Sequence, residues 1–202
     1  MKLYFSPGAC SLSPHIALKE AGLPHELVKV DIRAKKLSNG SDFKAINPKG
    51  QVPALHLDNG DVLTEGPVIV QYIADQAASK NLAPAAGTRD RYRLQEWLNF
   101  ISTELHKSFS PLFNPTMPDE VKSFFRSRLI DKFTYVDEQL ADNDYLMGAQ
   151  FSVADGYFFT MLRWADTNKL DLSALRNLTA YKERVLARPQ VREAMKAEGL
   201  KF

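Results

Sequence analysis

The stretch QVPALHLDNGDVLTEGPVIVQYI, residues 51–73, decides the fold of this chain. It predicts a strand over 51–57, a tight turn at 58–61, a return strand over 62–64 and a helix that begins at Pro67. Upstream, strands are predicted at 3–5 and 26–31, and the helix between them starts at Pro14 and ends at Gly22. Because two strands joined by a helix form a parallel βαβ unit, the first half is an α/β unit of order β-α-β-(α)-β-β-α. The charged, turn-rich residues 32–48 supply the element in parentheses.

The second half of the chain carries no strand pattern. Residues 78–88 break the periodicity with Ser, Asn, Gly and Pro, which is typical of a linker. We therefore expect an N-terminal domain at 1–78, a linker at 79–88 and an all-helical domain at 89–202. Within that domain, helical spacing covers 89–109, 119–141, 153–168, 178–187 and 189–198, and the breaks contain Pro111, Pro115, Pro118, Gly148 and Pro189.

The composition argues against several classes of partner. The 202 residues carry 26 basic and 24 acidic side chains, a net charge of +2, and no basic block long enough to follow a nucleic-acid backbone. No apolar run approaches the ~20 residues of a membrane span, and Pro7 interrupts the N-terminal apolar residues before a signal peptide could form. We expect a cytoplasmic protein that binds neither nucleic acid nor membrane.

Cys10 is the only cysteine, and it lies between the first strand and the start of the first helix. The partial positive charge of a helix N-terminus lowers the pKa of a nearby thiol, so this position predicts a reactive cysteine. The alternative is a small buried apolar residue, the usual environment of a free cysteine. A single cysteine forms no internal disulfide, so any disulfide partner is another molecule. Four scattered histidines and one cysteine lack ligand spacing, so no metal site is expected.

Two backbone motifs predict sites for a peptide-like ligand. Pro53 at the head of a strand predicts a cis Val52-Pro53 bond, whose bend turns the Val52 N–H and C=O outward to pair with an extended peptide. A trans proline in an edge strand is the alternative. The helix start at Glu65-Gly66-Pro67 offers N–H groups to a carboxylate and Glu65 to an ammonium group, which together describe an α-amino acid end. Alternatively, Glu65 only complements the helix dipole.

The helix predicted at 89–109 is amphipathic, and its polar face combines amide, hydroxyl, imidazole and ammonium groups. Such a set suits a peptide-like anion, and a merely solvated face is the alternative. His106 within this set can hold or donate the proton of a thiol. Further along, Ser152 and Asp155 form a capping box, which is a folding feature. The polar face comprises Asn99, Thr103, His106 and Lys107.

These motifs, taken together, resemble the cytosolic glutathione transferases, most closely their bacterial beta class. The residues that carry the resemblance are Cys10 after the first strand, Gln51-Val52-Pro53, Thr64-Glu65-Gly66, Glu104-Leu105-His106-Lys107 and the Ser152–Asp155 box. The resemblance covers essentially the whole chain. It implies a thioredoxin-like N-terminal domain followed by an all-helical C-terminal domain, and a homodimer with shared sites.

The resemblance also implies how glutathione binds, with Cys10 and His106 as catalytic residues. Gly66 departs from the wider family, in which a serine hydroxyl often helps at this place. The implied glutathione contacts are Cys10 and His106 at the sulfur, Val52 for the cysteinyl backbone, Glu65 and Gly66 for the γ-glutamyl group, and Lys35 for the glycyl carboxylate. Lys107 is a further implied contact, and Asn99, Thr103 and Glu104 reach glutathione partly across the dimer interface.

The implied function is a detoxifying transferase that lowers the pKa of the glutathione thiol and directs its thiolate onto small hydrophobic electrophiles. Cys10 can also form a mixed disulfide with glutathione, so a glutathione-dependent disulfide reductase is a second candidate. A non-catalytic ligand-binding module on the same fold is a third. Hydroxyl groups of Tyr4, Ser6 and Ser11 are alternative thiolate donors. The apolar wall of an electrophile site would comprise Phe109, Phe113, Met117 and Trp164, with ordinary helical core as the alternative.

Overall fold

The first strands and the first helix form the predicted βαβ unit. In the computed structural model, which describes all of residues 1–202, β1 (Lys2–Phe5), α1 (Leu12–Ala21) and β2 (Glu26–Asp31) follow one another. β1 and β2 are parallel, with Leu3 opposite Leu27. α1 ends because Gly22 adopts a left-handed conformation, with a φ of 68°, that returns its N–H to the last helical turn. The prediction for these elements is confirmed.

The predicted hairpin completes the sheet. β4 (Ala54–His56) pairs antiparallel with β5 (Val62–Thr64) and with β1, and a two-residue strand, β3 (Lys36–Leu37), pairs antiparallel with β2. The strand order is therefore β3-β2-β1-β4-β5. The edge strand β3 (Lys36–Leu37) and a single 3₁₀ turn (Phe43–Ala45) replace the helix expected within 32–48. Phe43 is the only fully buried apolar side chain there, too few for an amphipathic helix. α2 (Gly66–Gln76) follows β5 and packs on α1.

The second half consists of helices, as predicted. α3 (Arg89–Phe100), a π-helical turn (Ile101–His106) and α4 (Lys107–Phe113) run on without a break. Pro111 does not end this helix, contrary to the expectation, because it lies in the last turn, where its missing N–H removes a single hydrogen bond. The remaining helices are α5 (Asp119–Gln139), α6 (Val153–Thr167), α7 (Arg176–Leu186) and α8 (Pro189–Ala197).

α1 lies where the two halves of the molecule meet. It packs against α2 of the first half and against α6 and α8 of the second, and Ile16 shares one buried apolar cluster with Leu55 and Phe158. Cys10 directly precedes α1, so both halves fix the position of the thiol. None of the helices is long and apolar enough to cross a membrane.

α6 begins with the capping box predicted at Ser152. The Ser152 N–H and hydroxyl donate to Asp155 Oδ2 at 2.7 and 2.8 Å. The Leu146 N–H and the Tyr181 hydroxyl both donate to Asp155 Oδ1 at 2.9 Å. The buried carboxylate of Asp155 therefore joins the start of α6 to the preceding loop and to α7, and this arrangement sets the direction of a helix that carries site residues.

Candidate active site

The loop that carries Cys10 is held by residues from both halves of the molecule. Gly8, with a φ of 70° that suits glycine, donates its N–H to Glu198 Oε2 at 2.9 Å and accepts from Trp164 Nε1 at 2.8 Å. The Ser11 hydroxyl accepts from the Ser6 N–H at 3.1 Å and donates to the Ser6 carbonyl at 3.2 Å. The Ser11 hydroxyl proton is therefore engaged within the loop, which disfavours Ser11 as a thiolate donor.

Cys10 lies beside the residues that lead into β4. Its Sγ donates to the Val52 carbonyl at 3.2 Å, and the Val52-Pro53 peptide is cis, as predicted. The Val52 N–H has no hydrogen-bond partner within the protein, so it can donate to an extended peptide. The Val52 carbonyl already accepts from the thiol, so only one of the two backbone groups is unengaged.

The protein raises the pKa of the Cys10 thiol from 9.0 to about 12. Although Cys10 keeps some accessible surface, burial is the largest cause, because a thiolate loses hydration there. The backbone N–H groups of Cys10 and Ser11 and the charge of Lys107 offset part of this rise. The expectation of a lowered pKa is therefore wrong: desolvation exceeds the effect of the helix start, and at neutral pH Cys10 is a thiol that donates a hydrogen bond.

The second predicted motif lies at the start of α2. Glu65 adopts a φ of 68°, which is unusual for a residue with a side chain, and precedes the first helical residue, Gly66. The Glu65 carboxylate accepts from Lys49 Nζ at 2.6 Å, so it already binds an ammonium group. A Cβ on Gly66 would approach only Pro53, at 4.0 Å, so the site has room for the serine found elsewhere in the family. Sequence reasoning missed Lys49, whose place in the turn before Gln51 is its only indication.

Lys35 lies beside the residues that lead into β4. Its Nζ donates to the Gly50 carbonyl at 2.8 Å, two residues before Val52. Asn47 Nδ2 donates to the Gln51 carbonyl at 2.7 Å and so fixes the same segment. The structure thus brings Lys35 close to Val52, the residue predicted to bind the cysteinyl backbone.

His106 lies at the end of the π-helical turn, and its ring is held by two aromatic residues of α6. Its Nδ1 is 2.6 Å from the Tyr157 hydroxyl, and its ring meets that of Trp164 edge to face, with centroids 4.9 Å apart. Burial, assisted by the positive charge of Lys107, lowers the pKa of His106 from 6.5 to about 4, so the imidazole is neutral at pH 7. Sequence reasoning missed Tyr157, although its position seven residues before Trp164 places both on one helix face.

The aromatic wall predicted in the second half is partly formed. Trp164 packs edge to face on Phe113 and Phe109, with centroids 5.0 and 5.6 Å apart. Phe113 is 48% exposed, whereas Phe109 is fully buried. The prediction that Phe109 contacts an electrophile is corrected: Phe109 is core and supports the wall from behind. Met117 is half-buried in the turn after α4.

The polar residues of the continuous helix formed by α3, the π-helical turn and α4 fall into two groups, one near Cys10 and one without hydrogen bonds to the residues around it. Lys107 affects the pKa of both Cys10 and His106, which places its charge near the thiol. Glu104, in contrast, accepts from Arg128 and Lys132 of α5 at 2.8 and 3.1 Å. Thr103 donates to the carbonyl of Asn99 at 3.0 Å, and the side chains of both residues are exposed. Within one chain, no hydrogen bond joins Asn99, Thr103 or Glu104 to the residues around Cys10.

Comparison with known families matches both halves of the chain. Residues 8–76 match the model of the glutathione S-transferase N-terminal domain. Residues 100–189 match the model of the glutathione S-transferase C-terminal domain. The first range holds Cys10, four of the five strands and the start of α2, and the second holds His106 and the aromatic wall.

Individual relatives match over their full length. The glutathione S-transferase GstA of Escherichia coli O157:H7 is 50% identical over 201 residues, covering 100% of both chains. The solved beta class glutathione S-transferase of Sphingomonas chungbukensis has a TM-score of 0.97 at 49% identity, and a sphingomonad glutathione S-transferase complexed with glutathione has 0.96 at 48%, each covering 100% of both chains. Because family models, full-length relatives and the fold agree, this chain belongs to the glutathione transferase family and is a glutathione transferase similar to those of the bacterial beta class.

Proposed function

We propose that this enzyme conjugates glutathione to small hydrophobic electrophiles at the cleft between its two halves. The observation that carries the proposal is the placement of the Cys10 thiol at the Val52 carbonyl, together with the His106 ring packed on Trp164 of the aromatic wall. Glutathione would lie in the 1–78 unit and the electrophile against the 89–202 unit. Phe113, which is half-exposed, and Trp164 would contact the electrophile.

The glutathione backbone would pair with the residues before β4. The Val52 N–H is unengaged and can donate to the cysteinyl carbonyl. Glu65, which binds the Lys49 ammonium, would bind the γ-glutamyl ammonium in the same way, while the Gly66 N–H donates to the carboxylate. Lys35, near Gly50, would pair with the glycyl carboxylate at the other end.

The sulfur of glutathione would be held as a thiolate by hydrogen bonds. A thiol with a pKa of about 12 remains protonated, so Cys10 favours hydrogen-bond donation over nucleophilic attack. In the glutathione complex its S–H would turn from the Val52 carbonyl to the glutathione sulfur. His106 is neutral and provides a second N–H donor without introducing a further charge. Both groups would stabilise the thiolate relative to the thiol, which lowers the pKa of the glutathione thiol and increases the fraction of the nucleophilic form at neutral pH.

The variant Cys10→Ala distinguishes this proposal from a disulfide reductase. If Cys10 only donates a hydrogen bond, conjugation of a chloronitrobenzene should fall by about 10- to 150-fold, since one hydrogen bond to a charged acceptor contributes about 1.5–3 kcal/mol. Reduction of a mixed disulfide through Cys10 would be lost altogether, because its sulfur must attack the disulfide and release the other thiolate. Complete loss of conjugation would refute separate roles. Failure of the wild-type protein to bind immobilised glutathione or to turn over would favour a binding module.

We further propose a cytoplasmic homodimer that forms along α3 and α5. A groove of about 950 Å³ lies between these helices, lined by Trp97, Phe100 and Tyr135, and Arg128 and Lys132 beside it bind Glu104. If a second copy of the chain binds in this groove, Asn99, Thr103 and Glu104 would reach a glutathione site that the two copies share.

Light scattering tests the dimer. Phe124 is 62% exposed beside the groove, so Phe124→Glu should yield a monomer. Phe202 is equally exposed at the chain end, so Phe202→Glu should remain a dimer. A wild-type monomer at micromolar concentration contradicts the proposal, and recovery of the protein in the membrane fraction of lysed cells contradicts the location.

A further inference from the structure

We propose that Tyr157 is a positioning residue that fixes the tautomer of His106, so that His106 presents Nε2–H to the glutathione sulfur. The inference rests on the proposed conjugation function and adds to it a residue of α6 that has no direct contact with the reacting atoms. Its starting point is the 2.6 Å separation between the Tyr157 hydroxyl oxygen and His106 Nδ1.

The environment of Tyr157 determines where its proton lies. The residue is 3% exposed, and burial raises the pKa of its hydroxyl, which therefore stays protonated. Two polar side chains reach this hydroxyl, His106 Nδ1 at 2.6 Å and the Ser102 hydroxyl. Ser102 lowers the Tyr157 pKa, which is the effect of a donor, so Nδ1 is the acceptor left for the phenol proton. The bond therefore runs from the Tyr157 O–H to Nδ1.

The π-helical turn supports the same direction. Ser102 and His106 both belong to this turn, and the Ser102 hydroxyl interacts with the Tyr157 oxygen, where it partly offsets the rise in pKa. Because the Ser102 hydroxyl donates to the Tyr157 oxygen, the proton of Tyr157 is left to point at the His106 imidazole. Insertions of this type in a helix frequently occur at functional sites, because they redirect side chains.

An acceptor role for Nδ1 leaves the proton of the neutral imidazole on Nε2. Nε2 has no hydrogen-bond partner within the protein, and it is not sealed from solvent. It is therefore an open donor in a cleft whose other charged or titratable neighbours are Cys10, Lys107 and Glu65. The partner of one imidazole nitrogen determines what the other can do, as in hydrolases whose carboxylate orients a histidine.

The test is Tyr157→Phe, which keeps the ring and removes only the hydroxyl. We expect kcat/KM for conjugation to fall by about tenfold, the typical effect of losing a group that orients a ligand-binding histidine, and the KM for glutathione to change little. The apparent pKa of the bound glutathione thiol, from the pH dependence of kcat/KM for the electrophile at saturating glutathione, should rise by about one unit, which corresponds to that tenfold loss. Tyr92→Phe, at a 64% exposed tyrosine, is the matched control. An unchanged thiol pKa in Tyr157→Phe overturns the proposal, because a packing role alone would change only stability.

Two further measurements make the test specific. In His106→Gln the amide supplies an N–H near the Nε2 position without tautomers, so adding Tyr157→Phe should have no further effect on the thiol pKa. An effect as large as in the wild-type background would contradict action through His106. Nitrogen NMR shifts of the His106 ring need no turnover: Nε2–H in the wild-type protein supports the inference and Nδ1–H overturns it. An inactive wild-type enzyme with Nε2–H would therefore count against the proposed function alone.

Discussion

Alkylation of Cys10 should be far slower than alkylation of an ordinary cysteine. The thiolate is the species that reacts with iodoacetamide, and the fold raises the pKa of this thiol from 9.0 to about 12. A rise of three pKa units corresponds to a thiolate population about a thousandfold smaller at any pH well below both pKa values. We therefore expect the rate at neutral pH to be about a thousandfold lower than in the unfolded chain.

The single cysteine makes this measurement unambiguous, because intact-mass spectrometry detects one adduct and no other. The same protein unfolded in guanidinium provides the control for intrinsic reactivity. The pH dependence separates acidity from steric access: the rate should rise tenfold per pH unit without a plateau until the pH nears 12. A plateau below about pH 10, or a rate within tenfold of that of the unfolded chain, would refute the argument that desolvation dominates at this site.

Two further predictions concern stability. Asp155→Ala leaves the buried Leu146 N–H and Ser152 N–H without their acceptor, so the free energy of unfolding should fall by about 3–5 kcal/mol in urea titrations. Asp171→Ala, at an exposed carboxylate, should have little effect, and equal effects would contradict the structural role of Asp155. The His106 pKa is about 4 in the fold and near 6.5 in the unfolded chain, which binds the proton first, so stability should be lost as the pH falls from about 6.5 to 4, by about 3 kcal/mol from this group. The free energy of unfolding of His106→Gln should fall less over that pH range. If denaturant titrations gave the same pH dependence for the variant and the wild-type protein, the effect could not be assigned to His106.

Local periodicity was sufficient to predict most of the fold. The strand at Glu26–Asp31 and the helix end at Gly22 follow from alternation and from one glycine, since each depends on neighbours within a few residues. The short strand β3 escaped prediction because only two residues pair there, and their pairing depends on β2 across the sheet.

The environment of the site was harder to predict than its members. Cys10 and Val52 could be identified from their local motifs, but the raised thiol pKa arises from residues packed around it by the tertiary fold. The bond between His106 and Tyr157 joins positions 51 residues apart, which no helical spacing encodes. Phe109 is buried because it packs on Phe133 of α5, a contact that the pattern of a single helix does not specify.

The bond between the Gly8 N–H and Glu198 spans 190 residues of a 202-residue chain. The N–H of the thiol loop thus binds a side chain that is synthesised 190 residues after it. However early the sheet forms, this bond cannot form before synthesis has passed α8. An isolated 1–78 unit would lack the bond, so assembly of the thiol loop depends on the second half of the chain.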